Sequence, residues 1–314
     1  MRYAWLSVIA IEVVALPCLG YDLTGRIDPA ASLTVFLHGA TAPFENSTTS
    51  DSDGHFHFAK VPAGTYTLAV VTAARGEAVE TVEVSPGLVD SKGRLDIALK
   101  LDSAKLESEN GRGTVATVSA TLLSIPDRAT KEYEEAQRCL GRSDSACASV
   151  HLERAVTIAP RFTVAWNQMG TIAYQKHLYG DAESDFRRAL GADPDAFEPL
   201  LNLGGVLVNL DRPREALGYN QSAVSRRPND ALANSQLGLN YFELNEMELA
   251  ETSLKAAIRL DPVLFSHPQL TLAEIYLRRG EREQAIAQLQ DFLKRHPDAA
   301  QAARVREKLA VLGR

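Results

Sequence analysis

WNQMGTIAYQKHLYGDAESDFRRALGADP (Trp166–Pro194), LLNLGGVLVNLDRPREALGYNQSAVSRRP (Leu200–Pro228) and NSQLGLNYFELNEMELAETSLKAAIRLDP (Asn234–Pro262) are three passes through one pattern. Pro160, Pro194, Pro228 and Pro262 recur at 34 residues, and Pro297 follows at 35. A fixed period of this length marks stacked supersecondary units, each too small to bury its own apolar face alone. The repeat therefore decides the fold.

Small residues fall where close packing needs them. Gly170, Gly204 and Gly238 stand mid-way along a first helix, with Ala136 and Ala273 in the same place in the outer repeats. Glycine inside a helix costs about 1 kcal/mol relative to alanine, so three in register predict that another backbone passes close by. Ala148, Ala182, Ala216, Ala250 and Ala285 follow in the second helix, and Ala155, Ala189, Ala223 and Ala257 come one period of contact later. Gly180-Asp181, Asp211-Arg212-Pro213, Asn245-Glu246 and Gly280-Glu281 are read as the turns between the two helices, and each proline ends a pair.

This pattern, carried by Trp166, Gly170, Ala182, Phe186, Ala189, Pro194 and their counterparts, resembles the tetratricopeptide repeat family. The resemblance implies an all-α solenoid of helix-turn-helix repeats at about 129–160, 163–194, 197–228, 231–262 and 266–297, within a domain at 126–298. Asn220 departs from the pattern, standing where an aromatic residue or leucine is expected. A helix over 299–314 reads as the cap such a solenoid needs over its last apolar face. By resemblance, the first helices line a concave wall that binds extended peptides or protein partners. That wall presents Tyr133 and Gln137, then Asn167, Thr171 and Tyr174, then Asn202 and Asn209, then Ser235 and Phe242, then Glu274 and Arg278. Asn202 leads this set, because an amide offers a peptide backbone both a donor and an acceptor. The basic ladder of family members that clamp a C-terminal carboxylate is missing, so the expected ligand is an extended internal segment.

Residues 21–101 carry a different period. Leu33–Leu37, Phe56 and Phe58, Thr65–Val71, Val79–Val84 and Leu95–Leu101 are short β-rich runs divided by Gly, Pro, Asn and Asp, which predicts an all-β sandwich of about seven strands. In SDGHFHFAKVPAGTYTLAV (Ser52–Val70), Asp53-Gly54 reads as a hairpin turn, with Phe56, Phe58, Tyr66 and Leu68 pointing inward. This stretch resembles the carboxypeptidase regulatory-like domain, a prealbumin-like sandwich that serves as a non-catalytic accessory in its family. The expected fold class is thus multidomain, an N-terminal β-sandwich followed by an all-α solenoid. His55 and His57 face one way beside Asp51 and Asp53, a set a metal could use; polar residues opposite a core are the commoner explanation, and no metal is assigned.

The ends and the connector complete the plan. Arg2, an apolar run from Ala4 to Leu16 and Pro17-Cys18-Leu19-Gly20 read as a signal peptide over 1–20, cleaved or kept as an anchor, which makes the chain exported, periplasmic or secreted. Cys139 and Cys147 then remain, as a disulfide permitted by an oxidising compartment or as two buried thiols. Residues 102–125 read as a linker, polar at first and then an apolar Thr114–Ile125 segment expected to dock on its neighbours. A formal net charge of -7 argues against nucleic acid as partner. Gly-x-Ser-x-Gly, His-Glu-x-x-His, a phosphate-binding glycine loop and paired-cysteine metal motifs are all missing from the sequence, so neither catalysis nor a cofactor is expected. The functional expectation is an exported, non-enzymatic scaffold working through the repeat groove. The alternative is glycan or cell-wall binding by the sandwich, with Phe44 and Tyr21 as the aromatic contacts and the repeats as spacer or oligomerisation module.

Overall fold

A computed structural model describes residues 20–40, 43–72, 76–90, 92–100 and 125–313. Residues 1–19 of the signal peptide expected at 1–20, and residues 114–124 of the segment expected to dock, lie outside the described residues.

Among the described residues the N-terminal part is a sandwich of seven strands, β1 (Tyr21–Asp28), β2 (Thr34–Gly39), β3 (Glu45–Thr49), β4 (His55–Val61), β5 (Gly64–Thr72), β6 (Gly76–Val84) and β7 (Arg94–Lys100). One sheet runs β4-β1-β7, with β1 and β7 parallel; the other runs β3-β2-β5-β6. Side chains alternate faces along a strand, so Phe56, Phe58 and Val61 of β4 and Leu23 and Ile27 of β1 meet Val35, Leu37, Tyr66 and Leu68 from the opposite sheet in one core. Polar β3, with the sequence ENSTT, has no apolar alternation to announce a strand; it is held by backbone pairing with β2 at the sheet edge.

The Asp53-Gly54 turn corrects the hairpin reading. It carries the chain from β3 in one sheet to β4 in the other, and Pro62 to Gly64 carries it back to β5. The residue types are those of a turn in either case. Gly54 sits at φ +82°, where its carbonyl accepts from the Ile27 N–H at 2.9 Å and a Cβ would stand 2.5 Å from the Ile27 carbonyl oxygen. Asp51 Oδ1 accepts from the N–H groups of Asp53 (2.9 Å) and His55 (2.8 Å), closing the turn from the side. The His55 N–H, foremost among these bonds, holds the Asp51 carboxyl below its ordinary range.

Eleven helices follow among the described residues: α1 (Asp127–Leu140), α2 (Ser145–Ile158), α3 (Thr163–Gln175), α4 (Tyr179–Ala192), α5 (Phe197–Asn209), α6 (Pro213–Arg226), α7 (Ala231–Glu243), α8 (Met247–Leu260), α9 (Pro268–Arg278), α10 (Arg282–Arg295) and α11 (Ala302–Leu312). They pair antiparallel in the order of the repeats, and α11 covers the end of α9 and α10 by burying Ala302 and Val305. The turns inside the repeats pivot on Ser143, His177, Asp211, Asn245 and Gly280, all with left-handed φ between +58° and +76°. In the second repeat the pivot is thus His177, and Gly180-Asp181 lie inside the first turn of α4. Four of the five pivots accept this conformation without being glycine; each has its own N–H bonded three residues back, as in His177 to Tyr174 at 2.9 Å.

The mid-helix glycines meet side chains more than backbone. A Cβ on Gly170 would lie 2.6 Å from the Phe186 ring, one on Gly238 would lie 2.7 Å from Leu254, and one on Gly204 would lie 2.0 Å from Asn220 Oδ1. Each partner comes from the second helix of the same repeat. Asn220 therefore fills the place of Phe186 and Leu254. Its Nδ2 donates to Asn240 Oδ1 at 3.1 Å, and Asn240 Nδ2 donates to the Pro213 carbonyl at 2.7 Å, so a fully buried amide relay ties α6 to α7.

Candidate partner-binding groove

Stacking helix pairs puts the first helix of each repeat beside the next, and α3, α5, α7 and α9 touch in succession. The side chains expected to line this wall fall into three groups.

At its first end the wall meets the sandwich. Gln137 of α1 donates from Nε2 to Glu45 Oε1 at 3.3 Å, and Gln175 of α3 donates from Nε2 to the Gly39 carbonyl at 3.1 Å. Glu45 is nearly enclosed there, and burial raises its carboxyl above the ordinary range despite His38 at 3.6 Å and the Gln137 bond. The Tyr133 hydroxyl is also raised, chiefly by burial and then by the Glu45 charge. Tyr133 and Gln137 consequently face the protein's own first domain. Nothing in the repeat period announces this contact, because Glu45 and Gly39 belong to a different domain.

The middle of the wall is a row of amides. Asn202 of α5 donates from Nδ2 to Asn167 Oδ1 of α3 at 3.0 Å, and the Thr171 hydroxyl donates to the backbone carbonyl of Asn167, one turn back in α3, at 3.0 Å. Further along the same two helices, Asn209 donates from Nδ2 to the Tyr174 hydroxyl at 3.0 Å. Tyr174 is 37% exposed, and its hydroxyl is raised, first by desolvation. An amide has two N–H donors and a carbonyl with two lone pairs. The Asn202–Asn167 bond uses one donor of Asn202, leaving the second N–H and the carbonyl for a peptide unit laid across it.

The far end is different. Ser235 is buried, its hydroxyl 2.7 Å from that of Ser266, and Phe242 is buried in the core formed with Leu254 and Tyr276. The repeat pattern places both on the open wall; the bond to the loop before α9 and the packing under the next repeat withdraw them. Arg278 lies with its guanidinium carbon 4.3 Å from the centre of the Phe242 ring, Glu274 is 3.4 Å from Arg278, and Lys308 of α11 is 3.3 Å from Glu274. These groups satisfy one another. Asn240 is a further polar residue of α7 that the wall pattern does not single out; a polar residue one period after Val206, together with the misfit Asn220, is the signal that points to it.

In the sandwich, ligand atoms of Asp51, Asp53 and His55 lie within 4.8 Å of one another, all exposed. Asp51 already spends one oxygen on the turn. Phe44 and Tyr21, offered as aromatic contacts for a sugar, pack in or against the core instead, Phe44 with its ring 5.2 Å from that of Tyr66. No helix among the described residues is long and apolar enough to cross a membrane.

The carboxypeptidase regulatory-like domain model matches residues 21–100, and tetratricopeptide repeat models match 167–231, 231–263 and 270–306. The chain is a carboxypeptidase regulatory-like domain followed by tetratricopeptide repeats. Among curated proteins, a TPR repeat-containing protein of Treponema pallidum (strain Nichols) is 31% identical over 170 residues, 52% of this chain and 20% of the relative. The chain thus spans about a fifth of that relative's length. Among solved structures, PilW, titled a widely conserved type IV pilus biogenesis factor, superposes with a TM-score of 0.53 at 24% identity, covering 59% of this chain and 85% of its own. MamA from Desulfovibrio magneticus RS-1 superposes with a TM-score of 0.50 at 22% identity, covering 56% and 99%. Similarity at this level establishes the repeat fold.

Proposed function

We propose that this protein is an exported, non-enzymatic scaffold that holds an extended segment of a protein partner along the amide row of α3 and α5. The observation that carries the reading is the Asn202–Asn167 pair with its unspent donor and acceptor, continued by Asn209 and Tyr174. An extended peptide repeats its own donor and acceptor at each residue, and amides on adjacent helices match that demand without fixing the side-chain sequence. Export rests on the leader-like composition of residues 1–20. The glycan alternative loses its two aromatic candidates to the sandwich core.

Crosslinking in place followed by recovery of the protein from cell envelope and medium tests this, run beside Asn202→Ala and Tyr174→Ala. A protein partner recovered with the unaltered chain and lost from both variants is expected. Recovery of glycan, or of a partner indifferent to both substitutions, moves the function to the sandwich.

A further inference from the structure

The seam between α1 and α2 gathers a set of side chains that the repeat pattern does not call for. Cys139, in the last turn of α1, is joined by a disulfide to Cys147, in the first turn of α2, with Cα atoms 5.8 Å apart. His151 stands four residues after Cys147, one turn on and on the same face of α2. One ligand atom from each of the three lies within 4.8 Å of the other two. Glu132, two turns before Cys139 on the same face of α1, has Oε2 2.8 Å from His151 Nδ1. The Arg142 guanidinium is 3.7 Å from Cys139 Sγ. Cys139 is buried, and Cys147, His151 and Glu132 are half-buried, so solutes reach the cluster from one side.

We propose that the reduced first repeat holds one thiophilic divalent cation, zinc by its chemistry, through Cys139, Cys147 and His151, and that the disulfide is the closed state of this site. Thiolate and imidazole are zinc's preferred donors. At Zn–S of about 2.3 Å and Zn–N of about 2.0–2.1 Å, ligand atoms of a tetrahedral site stand roughly 3.3–3.8 Å apart. The three donors stand within 4.8 Å of one another and the two cysteine Cα atoms 5.8 Å apart, so once the disulfide opens, rotation about side-chain bonds brings them to that spacing. Glu132 supplies the carboxylate that orients a metal-binding imidazole, and Arg142 favours the thiolate form of Cys139. Three protein ligands leave a fourth position for water.

Opening the site needs a dithiol reductant. Thiol–disulfide exchange passes two electrons and two protons to the Cys139–Cys147 bond, giving two thiols, while the reductant closes to its own disulfide. Zinc then replaces the two thiol protons, which leave to solvent. In either state α1 and α2 stay linked, by a covalent bond or by the metal.

The full chain, reduced with a phosphine and freed of it without air, is titrated with zinc against a chromophoric chelator, beside the oxidised chain. One zinc per reduced chain and none per oxidised chain is expected, with a thiolate-to-cobalt absorption band when cobalt replaces zinc. His151→Ala, which keeps the disulfide and hence the oxidised fold, should weaken binding by at least about tenfold, and Glu132→Gln by about tenfold. The proposal is overturned if the reduced chain binds no more zinc than the oxidised one. It is also overturned if His151→Ala binds as tightly as the unaltered chain, or if affinity is the same in denaturant.

Discussion

The two halves of the inner wall are built on the same helical repeat, yet they spend their side chains differently. On α3 and α5, Asn202 bonds to Asn167 and Asn209 to Tyr174; the first pair keeps donors and acceptors to spare, and Asn209, with both N–H groups spent on Tyr174 and the Gly205 carbonyl, keeps its own carbonyl. From α7 to α11, Ser235, Phe242, Glu274, Arg278 and Lys308 are consumed in packing, ion pairs and a cation over a ring. The backbone places both sets on the same side of the solenoid. What separates a surface that can receive a ligand from one that stabilises the protein is therefore the satisfaction of each group, which position in the repeat does not determine.

Substitutions should divide along that line. Phe242→Ala is expected to cost about 3–5 kcal/mol in urea unfolding, the range for emptying a buried aromatic site, and to act on stability before any binding. A cost under about 1 kcal/mol would return Phe242 to the open wall. Acid should also strike the far half. Burial, with His296 beside it, lowers His267 to about 4 from its ordinary 6.5. The unfolded chain then takes up a proton that the folded chain refuses, so stability is intact above about pH 6.5 and falls by up to about 3 kcal/mol as pH drops toward 4. Asp185 on α4, raised to about 6 mainly by burial, works in the opposite sense: its folded state gains as pH falls from about 6. The difference between the unaltered chain and His267→Asn isolates the histidine, and a pH dependence unchanged by that substitution would contradict this account.

The joint between the halves gives the next effect. Gly204→Ala places a methyl group 2.0 Å from Asn220 Oδ1 and should cost about 1–3 kcal/mol by forcing the Asn220–Asn240 relay apart. If Asn220→Ala, which removes the side chain the new methyl group would meet, proves neutral in the Gly204→Ala background but harmful alone, the relay and not the helix backbone is what the glycine accommodates. Glu274→Gln, at an exposed ion pair, should change stability by less than about 0.5 kcal/mol.

How much of this is legible in the sequence follows from what each signal depends on. The 34-residue spacing of Pro160 to Pro262 reveals the helix pairs, because capping and helix ending are local. Strand alternation assigns Phe56, Phe58, Tyr66 and Leu68 their inward places, but whether Asp53-Gly54 joins neighbours in one sheet or crosses between two depends on pairing that no local residue encodes. Period alone puts Ser235 and Phe242 on the wall; their burial depends on Ser266, in the longer loop before α9, and on the core of the next repeat. Gln137 is readable as a wall residue, whereas its partner Glu45, and the bond from Gln175 to Gly39, are not.

The most direct test of a ligand-receiving near half is a photoreactive amino acid placed singly at Asn209 and at Arg278, both exposed, in the full chain in its own cells. Irradiation should yield a discrete adduct with a protein partner from position 209 and little from position 278. Equal adducts from both, or adducts from position 278 alone, would contradict the division of the wall on which the proposed function rests.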